Sequence, residues 1–331
     1  MFQWISKIKA FVAYRLPNGI SAHYFTGSLH VIRDLSEVND EGVLFHSFDG
    51  SQLFFIDCLT SVDPETVDLS LQQTAQTETN RDEYNETFHQ FKAAISDGTI
   101  QKAILSRTKS VPCSKDPILL FRDLNENYPA TFNYLMHLPG TGTWMGATPE
   151  LLLDIKDGRL TTMAVAGTKS NQVPTEWTEK EKEEHQYVTT DIVKKLSPFS
   201  SDITAKGPAT YSAGPVDHLK TDISAWISSV YSWKAIVSVL HPTPAICGTP
   251  TDAAQKLILA TEKHNRKFYT GYIGIIGEQR QLFFVNLRCM ELFEDMAMLY
   301  LGGGITAPSV LEDEWMETEN KAKTLLRVLE V

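Results

Sequence analysis

The alternation of apolar and polar positions predicts a chain of many short strands and a few long helices. Residues 1–75 contain apolar runs bounded by turn residues, which is typical of strands: FVAYRLPNGISAHYF, GVLFHSF and QLFFIDC. Further strand patterns follow at QKAILSRTKSV, along residues 131–167, and at FYTGYIGIIG, QLFFVNLRCMELF and AMLYLGGGIT. Strands and helices do not alternate regularly, so the pattern favours the α+β class over a doubly wound sheet.

The pattern of apolar residues predicts five helices, at residues 82–97, 118–128, 176–196, 252–265 and 312–331. A polar and acidic stretch at 64–81 predicts a linker. The helices at 176–196 and 312–331 each carry two glutamates spaced three residues apart, so that each pair shares a helix face. That face is otherwise mostly apolar: one stripe holds Glu181, Glu184, Val188 and Ile192, and the other holds Glu314, Glu317, Lys321, Leu325 and Val328.

Carboxylates that continue a core-facing stripe are costly to bury without a cation or hydrogen-bond donors. Four such glutamates stand on two helices more than a hundred residues apart. They therefore predict a divalent metal held between the two helices.

Composition narrows the class of protein. A formal net charge of −11 and a pI near 5.3 argue against a nucleic-acid or anionic-membrane binder, but not against a small anionic substrate. The four cysteines are widely spaced, which predicts free thiols in a reducing compartment. Charged residues interrupt the first apolar run, and no later run is long enough to span a bilayer. We therefore expect neither a signal peptide nor a transmembrane helix, and we expect a cytoplasmic protein.

Two charged residues next to apolar runs are candidates for acid–base chemistry. Lys102 begins a strand pattern in which it shares one face with Ile104, so it is either a desolvated base at a pocket rim or a lysine in solvent. Glu150 precedes the apolar run LLLDI, so it is either a buried acid able to donate a proton or an exposed turn residue.

Other candidates could bind an anion. Arg288 interrupts the apolar pattern FFVNLRCMELF, and a buried arginine needs either a ligand carboxylate or an internal salt bridge. Tyr269 could donate a hydroxyl to the same anion or serve only in packing. Consecutive glycines at 302–304, which include Gly303 and Gly304, could bring backbone N–H groups close to an anion or form a tight turn. His218 is not singled out by its local sequence.

Ten motifs together resemble those of the chorismate-utilising enzymes. This family includes isochorismate synthases, salicylate synthases and the large subunits of anthranilate and aminodeoxychorismate synthases. The motifs run in the family's order from about residue 100 to the end of the chain: QKAILSR, ATPELLL, AVAGT, EKEEHQYV, HLKT, HPTPAICGTP, FYTGYIG, FVNLRCMEL, GGGI and EWMETENKA. The resemblance implies large, mostly antiparallel sheets flanked by helices. It also implies a variable, β-rich N-terminal part at 1–75 of the same domain and a chorismate-binding catalytic region at 76–331.

Three positions favour one activity within the resemblance. The residue before the AILS motif is lysine in members that use water as nucleophile, and here it is Lys102. Ala166 in AVAGT replaces the nucleophilic lysine of one type of aminodeoxychorismate synthase, and HPTPAICGTP resembles the isochorismate synthase version. The resemblance thus implies an isochorismate synthase, an isomerase of a menaquinone or siderophore pathway. Salicylate synthase, an ammonia-using enzyme and a non-catalytic binding module remain the alternatives.

The resemblance also assigns roles. Water adds at C2 of chorismate and the C4 hydroxyl leaves, with Lys102 as base and Glu150 as acid. Mg²⁺ binds the ring carboxylate; Glu184 and Glu317 are the expected direct ligands, with Glu181 and Glu314 direct or through water. The expected substrate-binding residues are His218, Tyr269, Arg288, Gly303, Gly304 and Lys321. Chorismate is the only partner expected, and the protein is expected to be a monomer.

Overall fold

The computed structural model of the protein describes residues 9–73, 77–170, 175–213, 216–228 and 230–329. The described residues form sixteen strands: β1 Lys9–Arg15, β2 His23–Val31, β3 Gly42–His46, β4 Leu53–Ser61, β5 Lys102–Pro112, β6 Phe132–Leu138, β7 Gly142–Thr148, β8 Leu151–Lys156, β9 Arg159–Ser170, β10 Ile203–Ala213, β11 Val216–Trp226, β12 Gly248–Thr249, β13 Tyr272–Ile276, β14 Arg280–Val285, β15 Cys289–Leu292 and β16 Met296–Ile305. They also form six α-helices: α1 Arg81–Ser96, α2 Pro117–Asn127, α3 Glu179–Leu196, α4 Trp233–Leu240, α5 Thr251–Thr261 and α6 Leu311–Leu329.

All sixteen strands belong to one antiparallel sheet, with the order β10-β11-β9-β8-β14-β13-β3-β4-β2-β1-β6-β7-β15-β16-β5-β12. The predicted α+β class with mostly antiparallel strands flanked by helices is therefore confirmed. Strands β1–β4 stand in the middle of this order, where β3 pairs with β13 and β1 pairs with β6. The division of the chain near residue 75 stays a prediction.

The five predicted helices are confirmed, with ends set by local capping. Asn80 caps α1 by accepting from the backbone N–H of Glu83, whose carboxylate accepts from the backbone N–H of Asn80 in return. Helix α3 begins three residues later than expected, after Thr178. Helix α4 was not predicted, because its eight residues WKAIVSVL form an apolar run too short to distinguish a helix from a strand.

The apolar stripes of the two glutamate helices face separate parts of the core. On α3, Val188 and Ile192 are buried in one cluster with residues of β8 and β9. On α6, Leu325 and Val328 are buried in a second cluster with residues of β16. This packing holds the glutamates, which continue the same stripes, towards the sheet.

Two sequence interpretations need correction. The run FFVNLRCMELF is not one strand: β14 pairs with β13 and β8, whereas β15 pairs with β7 and β16. The chain turns between them at Arg288, whose φ of 47° lies in the left-handed region. The predicted linker at 64–81 is packed in part, because Val67, Leu69 and Leu71 contact a core cluster; its residues 74–76 lie outside the described part.

The four cysteines are free, as predicted. Among the described helices, none is both long enough and apolar enough to cross a bilayer. The first eight residues, which bear on the expected absence of a signal peptide, lie outside the described part.

Candidate active site

One cavity brings most of the predicted site residues together. It offers about 100 Å³ of accessible space and is bounded by strands from both ends of the sheet order, by α3 and by α6. Its lining includes nine predicted residues: Lys102, Glu150, Glu184, His218, Tyr269, Arg288, Gly304, Glu317 and Lys321. Glu181, Gly303 and Glu314 are not part of this lining.

The base candidate, Lys102, is buried at the start of β5, with only 1% of its side chain exposed. The alternation along β5 turns Lys102 and Ile104 towards the cavity and buries Ala103 and Leu105 in the core, as predicted. Lys102 Nζ lies 2.7 Å from Glu184 Oε1 on α3. The reading of Lys102 as a solvent lysine is therefore wrong, and the first glutamate helix supplies its ionic partner.

The acid candidate, Glu150, lies between β7 and β8 and is buried. Burial raises the pKa of Glu150 from 4.5 to about 8, and the nearby positive charge of Lys102 opposes this shift only in part. Glu150 is therefore mainly protonated at neutral pH and can donate a proton. The alternative of an exposed turn residue is wrong.

Helix α6 faces the glycines that end β16. Lys321 Nζ lies 2.6 Å from Glu317 Oε1 and donates to the carbonyl of Gly302 over 2.8 Å. A Cβ on Gly303 would lie 3.4 Å from Glu314 Oε2 and 3.5 Å from Glu317 Oε1. Both carboxylates of α6 thus lie close to Gly303, near the end of β16.

Helix α3 approaches the same glycines from another side. A Cβ on Gly304 would lie 2.7 Å from Glu184 Oε1, closer than a real Cβ is found. Gly167, with φ of 75°, lets the start of α3 pack on β9, because a Cβ there would lie 3.0 Å from the carbonyl oxygen of Glu181. The Glu181 carboxylate itself accepts a 2.9 Å hydrogen bond from the backbone N–H of Thr178, so it caps its own helix.

Arg288 supplies a positive charge at the corner between β14 and β15. It lines the cavity, and among the described residues no carboxylate lies within salt-bridge distance of it. Burial lowers the pKa of Arg288, with Tyr269 and Glu317 opposing the shift, and the guanidinium stays charged at neutral pH because arginine is an exceptionally strong base. A ligand anion therefore fits Arg288 better than an internal salt bridge.

Tyr269 lies beside the glycine segment. A Cβ on Gly302 would be 2.7 Å from Tyr269 Oη, so this approach requires glycine at 302. Burial raises the pKa of Tyr269 well above its ordinary value, which leaves its hydroxyl protonated and able to donate to an anion.

His218 on β11 is held as a neutral ring. Burial lowers the pKa of His218 to about 4, assisted by the charges of Arg288 and Lys321. Its Nδ1 lies 3.1 Å from the carbonyl oxygen of Gly167 and 3.1 Å from Thr168 Oγ1. Since a carbonyl only accepts, Nδ1 carries the proton and Nε2 presents a lone pair.

The carboxylates fit a hard divalent cation by chemistry. Glu184, Glu314 and Glu317 come from two helices to the same pair of glycines, and all offer oxygen atoms, which Mg²⁺ prefers. Among the described residues, no group of three potential metal-ligating side chains is close enough together to hold a metal ion. Glu184 and Glu317 instead form ion pairs with Lys102 and Lys321. The identity of the ligands stays a prediction.

Gly302, one of the three glycines proposed from sequence as an anion site, also lines the cavity. Several other lining residues were not predicted from sequence to bind or react: Ile104, Pro149, Val165, Ala166, Gly167, Thr168, Ala245, Ile246, Thr270, Leu287, Tyr300 and Leu301. Most are small or apolar, and such residues carry no local sign of function. The AVAGT and HPTPAICGTP motifs could have indicated the segments 165–168 and 245–246, because both belong to the family resemblance.

The cavity combines a buried lysine, a buried glutamate and cationic side chains, which fits the class of enzymes that act on small carboxylates. The family model of chorismate binding enzymes matches residues 57–327. The chain therefore belongs to the chorismate binding enzyme family.

Two of the similar proteins in this family are isochorismate synthases. The chain is 32% identical over 273 residues to isochorismate synthase DhbC of Bacillus subtilis (strain 168), covering 76% of this chain and 68% of that protein. It is 31% identical over 246 residues to isochorismate synthase EntC of Escherichia coli (strain K12), covering 69% of this chain and 62% of EntC. The matched region thus spans about two thirds of these relatives.

Solved structures show the same fold. The menaquinone-specific isochorismate synthase MenF of Escherichia coli aligns with a TM-score of 0.83 at 20% identity, covering 98% of this chain and 90% of MenF. A putative 2,3-dihydroxybenzoate-specific isochorismate synthase, DhbC of Bacillus anthracis, aligns with a TM-score of 0.80 at 23% identity, covering 97% and 96%.

Proposed function

We propose that the protein is an isochorismate synthase, an isomerase that adds water at C2 of chorismate while the C4 hydroxyl leaves. One observation carries the proposal: a buried lysine and a buried, protonated glutamate line the same cavity as a set of anion-binding groups. The names of the relatives support the same activity.

Two proton transfers are needed, because water is a poor nucleophile and hydroxide is a poor leaving group. The Lys102 amine accepts a proton from the attacking water, and the Glu150 carboxyl gives its proton to the departing hydroxyl. Lys102 first has to leave Glu184 and lose its own proton, since an ammonium group cannot act as a base. Burial favours the neutral form of Glu150.

The dicarboxylate substrate is held by charge and by hydrogen bonds. Arg288 and Tyr269 bind the pyruvyl carboxylate, with backbone N–H groups near Gly303 and Gly304 assisting, and Lys321 contacts the ring carboxylate. His218 would accept a hydrogen bond from a substrate hydroxyl through Nε2, because its Nδ1 proton already points to Gly167. In this role His218 orients the substrate and is not an acid.

Mg²⁺ completes the proposal. Glu184, Glu314 and Glu317 would hold it, and Glu181 would contribute through water or remain the cap of α3. When bound, the cation neutralises the ring carboxylate and fixes its position. The chain itself supplies the proton donor, the proton acceptor and the remaining anion contacts.

The direct test is incubation of the purified protein with chorismate and Mg²⁺, followed by chromatography and mass measurement of the products. The expected product is isochorismate, which has the same mass as chorismate but a different retention. Salicylate with pyruvate would instead identify a salicylate synthase, and anthranilate formed only with ammonia would identify an aminating enzyme. Binding of chorismate without any turnover would show a non-catalytic module.

A further inference from the structure

A buried ion pair lies behind the cavity wall, on the side away from the substrate. Arg266 follows α5, and its Nε and Nη2 donate to the two carboxylate oxygens of Glu262 over 2.8 and 2.7 Å. Only 2% of the Arg266 side chain and 3% of the Glu262 side chain are exposed. Neither residue lines the catalytic cavity, and neither has a role in the proposed chemistry.

The remaining donors of Arg266 reach three separate segments of the wall. Nη2 donates to the carbonyl of Ile104 over 2.6 Å, and Nη1 donates to the carbonyl of Ile246 over 3.1 Å and to Thr270 Oγ1 over 3.3 Å. All three partners line the cavity. One guanidinium thus joins β5, the segment before β12 and the corner before β13.

Two of these three segments carry residues of the proposed reaction. Ile104 stands two residues from Lys102 on β5, and Thr270 follows Tyr269. Thr270 adopts a φ of 60°, a conformation that a β-branched residue holds only where its surroundings fix it. The Nε2–H of His241 donates to the carbonyl of Thr270 over 2.9 Å, and Arg266 donates to the Thr270 hydroxyl. Both the backbone and the side chain of Thr270 are therefore held in place.

Glu262 fixes the guanidinium and the base strand together. Besides the fork with Arg266, its Oε1 accepts from the backbone N–H of Ser106 over 2.7 Å and from the Ser106 hydroxyl over 2.9 Å. The guanidinium also lies over the Phe48 ring, 4.5 Å from its centroid. Because an arginine fork presents its donors in fixed directions, a lysine ammonium could not reproduce this set.

We propose that Arg266 is a positioning residue, which, with Glu262, fixes the base strand and the Tyr269 corner relative to each other from behind the cavity wall. The proposal rests on the isochorismate synthase function. Two of the three carboxylate-binding side chains, Arg288 and Lys321, are not among the partners of Arg266, and the third, Tyr269, is only next to one of them, Thr270. Loss of Arg266 should therefore disturb the strand that carries Lys102 more than substrate binding.

The test compares Arg266→Lys with Arg280→Lys. Arg280 makes a two-pronged pair with Asp154, at 2.8 and 2.7 Å, away from the cavity; this pair is more exposed, and it serves as the control for the arginine-to-lysine change itself. Arg266→Lys should lower kcat by about 10- to 100-fold with KM changed by less than about threefold, since small misplacements of reacting groups cost this much. Arg280→Lys should leave both constants near the wild-type values.

Amide hydrogen exchange gives a readout that does not need turnover. In Arg266→Lys, segments 103–106, 245–248 and 268–271 should exchange faster than in the wild type, whereas Arg280→Lys should not change them. If Arg266→Lys does not fold, Glu262→Gln carries the same test, because it weakens the fork but retains a hydrogen-bonding side chain.

Unchanged kcat or unchanged exchange in these three segments overturns the positioning role. A rise in KM alone also overturns it, because that result would place Arg266 in binding. Absence of chorismate turnover by the wild type would count against the proposed function instead, and the exchange measurement would then decide on Arg266 alone.

Discussion

Replacing Glu150 by glutamine should make the protein more stable at neutral pH, because the native state has to keep the Glu150 carboxyl neutral. Its pKa is about 8 in the folded protein, against an ordinary value of 4.5. Between these two values the unfolded chain releases a proton that the native state retains, so the stability contributed by this group falls as pH rises. The contribution is fully present below about pH 4.5 and is lost by about pH 8.

The magnitude follows from the shift. At pH 7 the unfolded carboxyl is about 2.5 pH units above its pKa, and at about 1.4 kcal/mol per unit the cost is about 3 kcal/mol. At pH 5 the cost is below about 1 kcal/mol. Glutamine has nearly the same shape and does not titrate, so Glu150→Gln should gain roughly 2–3 kcal/mol over the wild type between pH 5 and pH 7.

Urea unfolding at pH 5, 6 and 7, followed by circular dichroism, measures this difference. A change in packing caused by glutamine alters the free energy of unfolding by the same amount at all three pH values. Only the pH-dependent part of the difference between the two proteins is therefore used. Exposed Glu183 on α3 provides the control substitution, Glu183→Gln, which should track the wild type. Parallel stability curves for the wild type and Glu150→Gln would refute the argument that burial keeps this carboxyl protonated.

Other expected outcomes concern activity. The ratio kcat/KM should fall above about pH 8, as the Glu150 proton is lost from the free enzyme; a flat profile to pH 9 would contradict its role as acid. Lys102→Ala should lower turnover by at least about 100-fold while chorismate binding stays measurable by calorimetry, and near-normal turnover would exclude the lysine as base. Glu317→Gln should raise the Mg²⁺ concentration needed for half-maximal activity about tenfold or more, whereas exposed Glu312→Gln should not. Arg288→Lys should weaken chorismate binding by roughly 10- to 100-fold through loss of its planar fork, and unchanged affinity would assign the substrate carboxylate to another residue.

Helices, strands and their faces could be predicted from the sequence better than the tertiary contacts around them. The stripes of α3 and α6 and the alternation along β5 follow from local periodicity, so the glutamates and Lys102 could be placed on faces in advance. Burial of Glu150 could not be predicted in this way, because the segments that cover it are distant in sequence. Local pattern alone left the acid and the turn residue as equal alternatives.

Failures arose where chain direction and pairing depend on distant partners. Arg288 interrupts an apolar run that looks continuous, but residues on its two sides pair with different strands, and the corner itself puts the guanidinium at the cavity. Glu181 also caps α3, and the segment TEKE carries the local sequence pattern of a capping box. The spacing of the glutamates alone indicates only a ligand role. The Arg266 network carries no motif, and only the fold brings its partners together.

Strands β1–β4 belong to the part of the sequence that contains none of the family motifs, but they occupy a connecting position in the sheet. The strands outside β1–β4 form two blocks, β10 to β13 and β6 to β12 in the sheet order. Within the described sheet, the only hydrogen-bonded path between the two blocks runs through β3, β4, β2 and β1. Lys102 belongs to one block and His218 to the other. The N-terminal strands contribute no side chain to the described lining of the cavity, yet they join by hydrogen bonds the two groups of strands that bound it. An inserted or deleted residue in these strands would shift their pairing by one position and exchange their buried and outward faces, so it would act on the cavity from a distance.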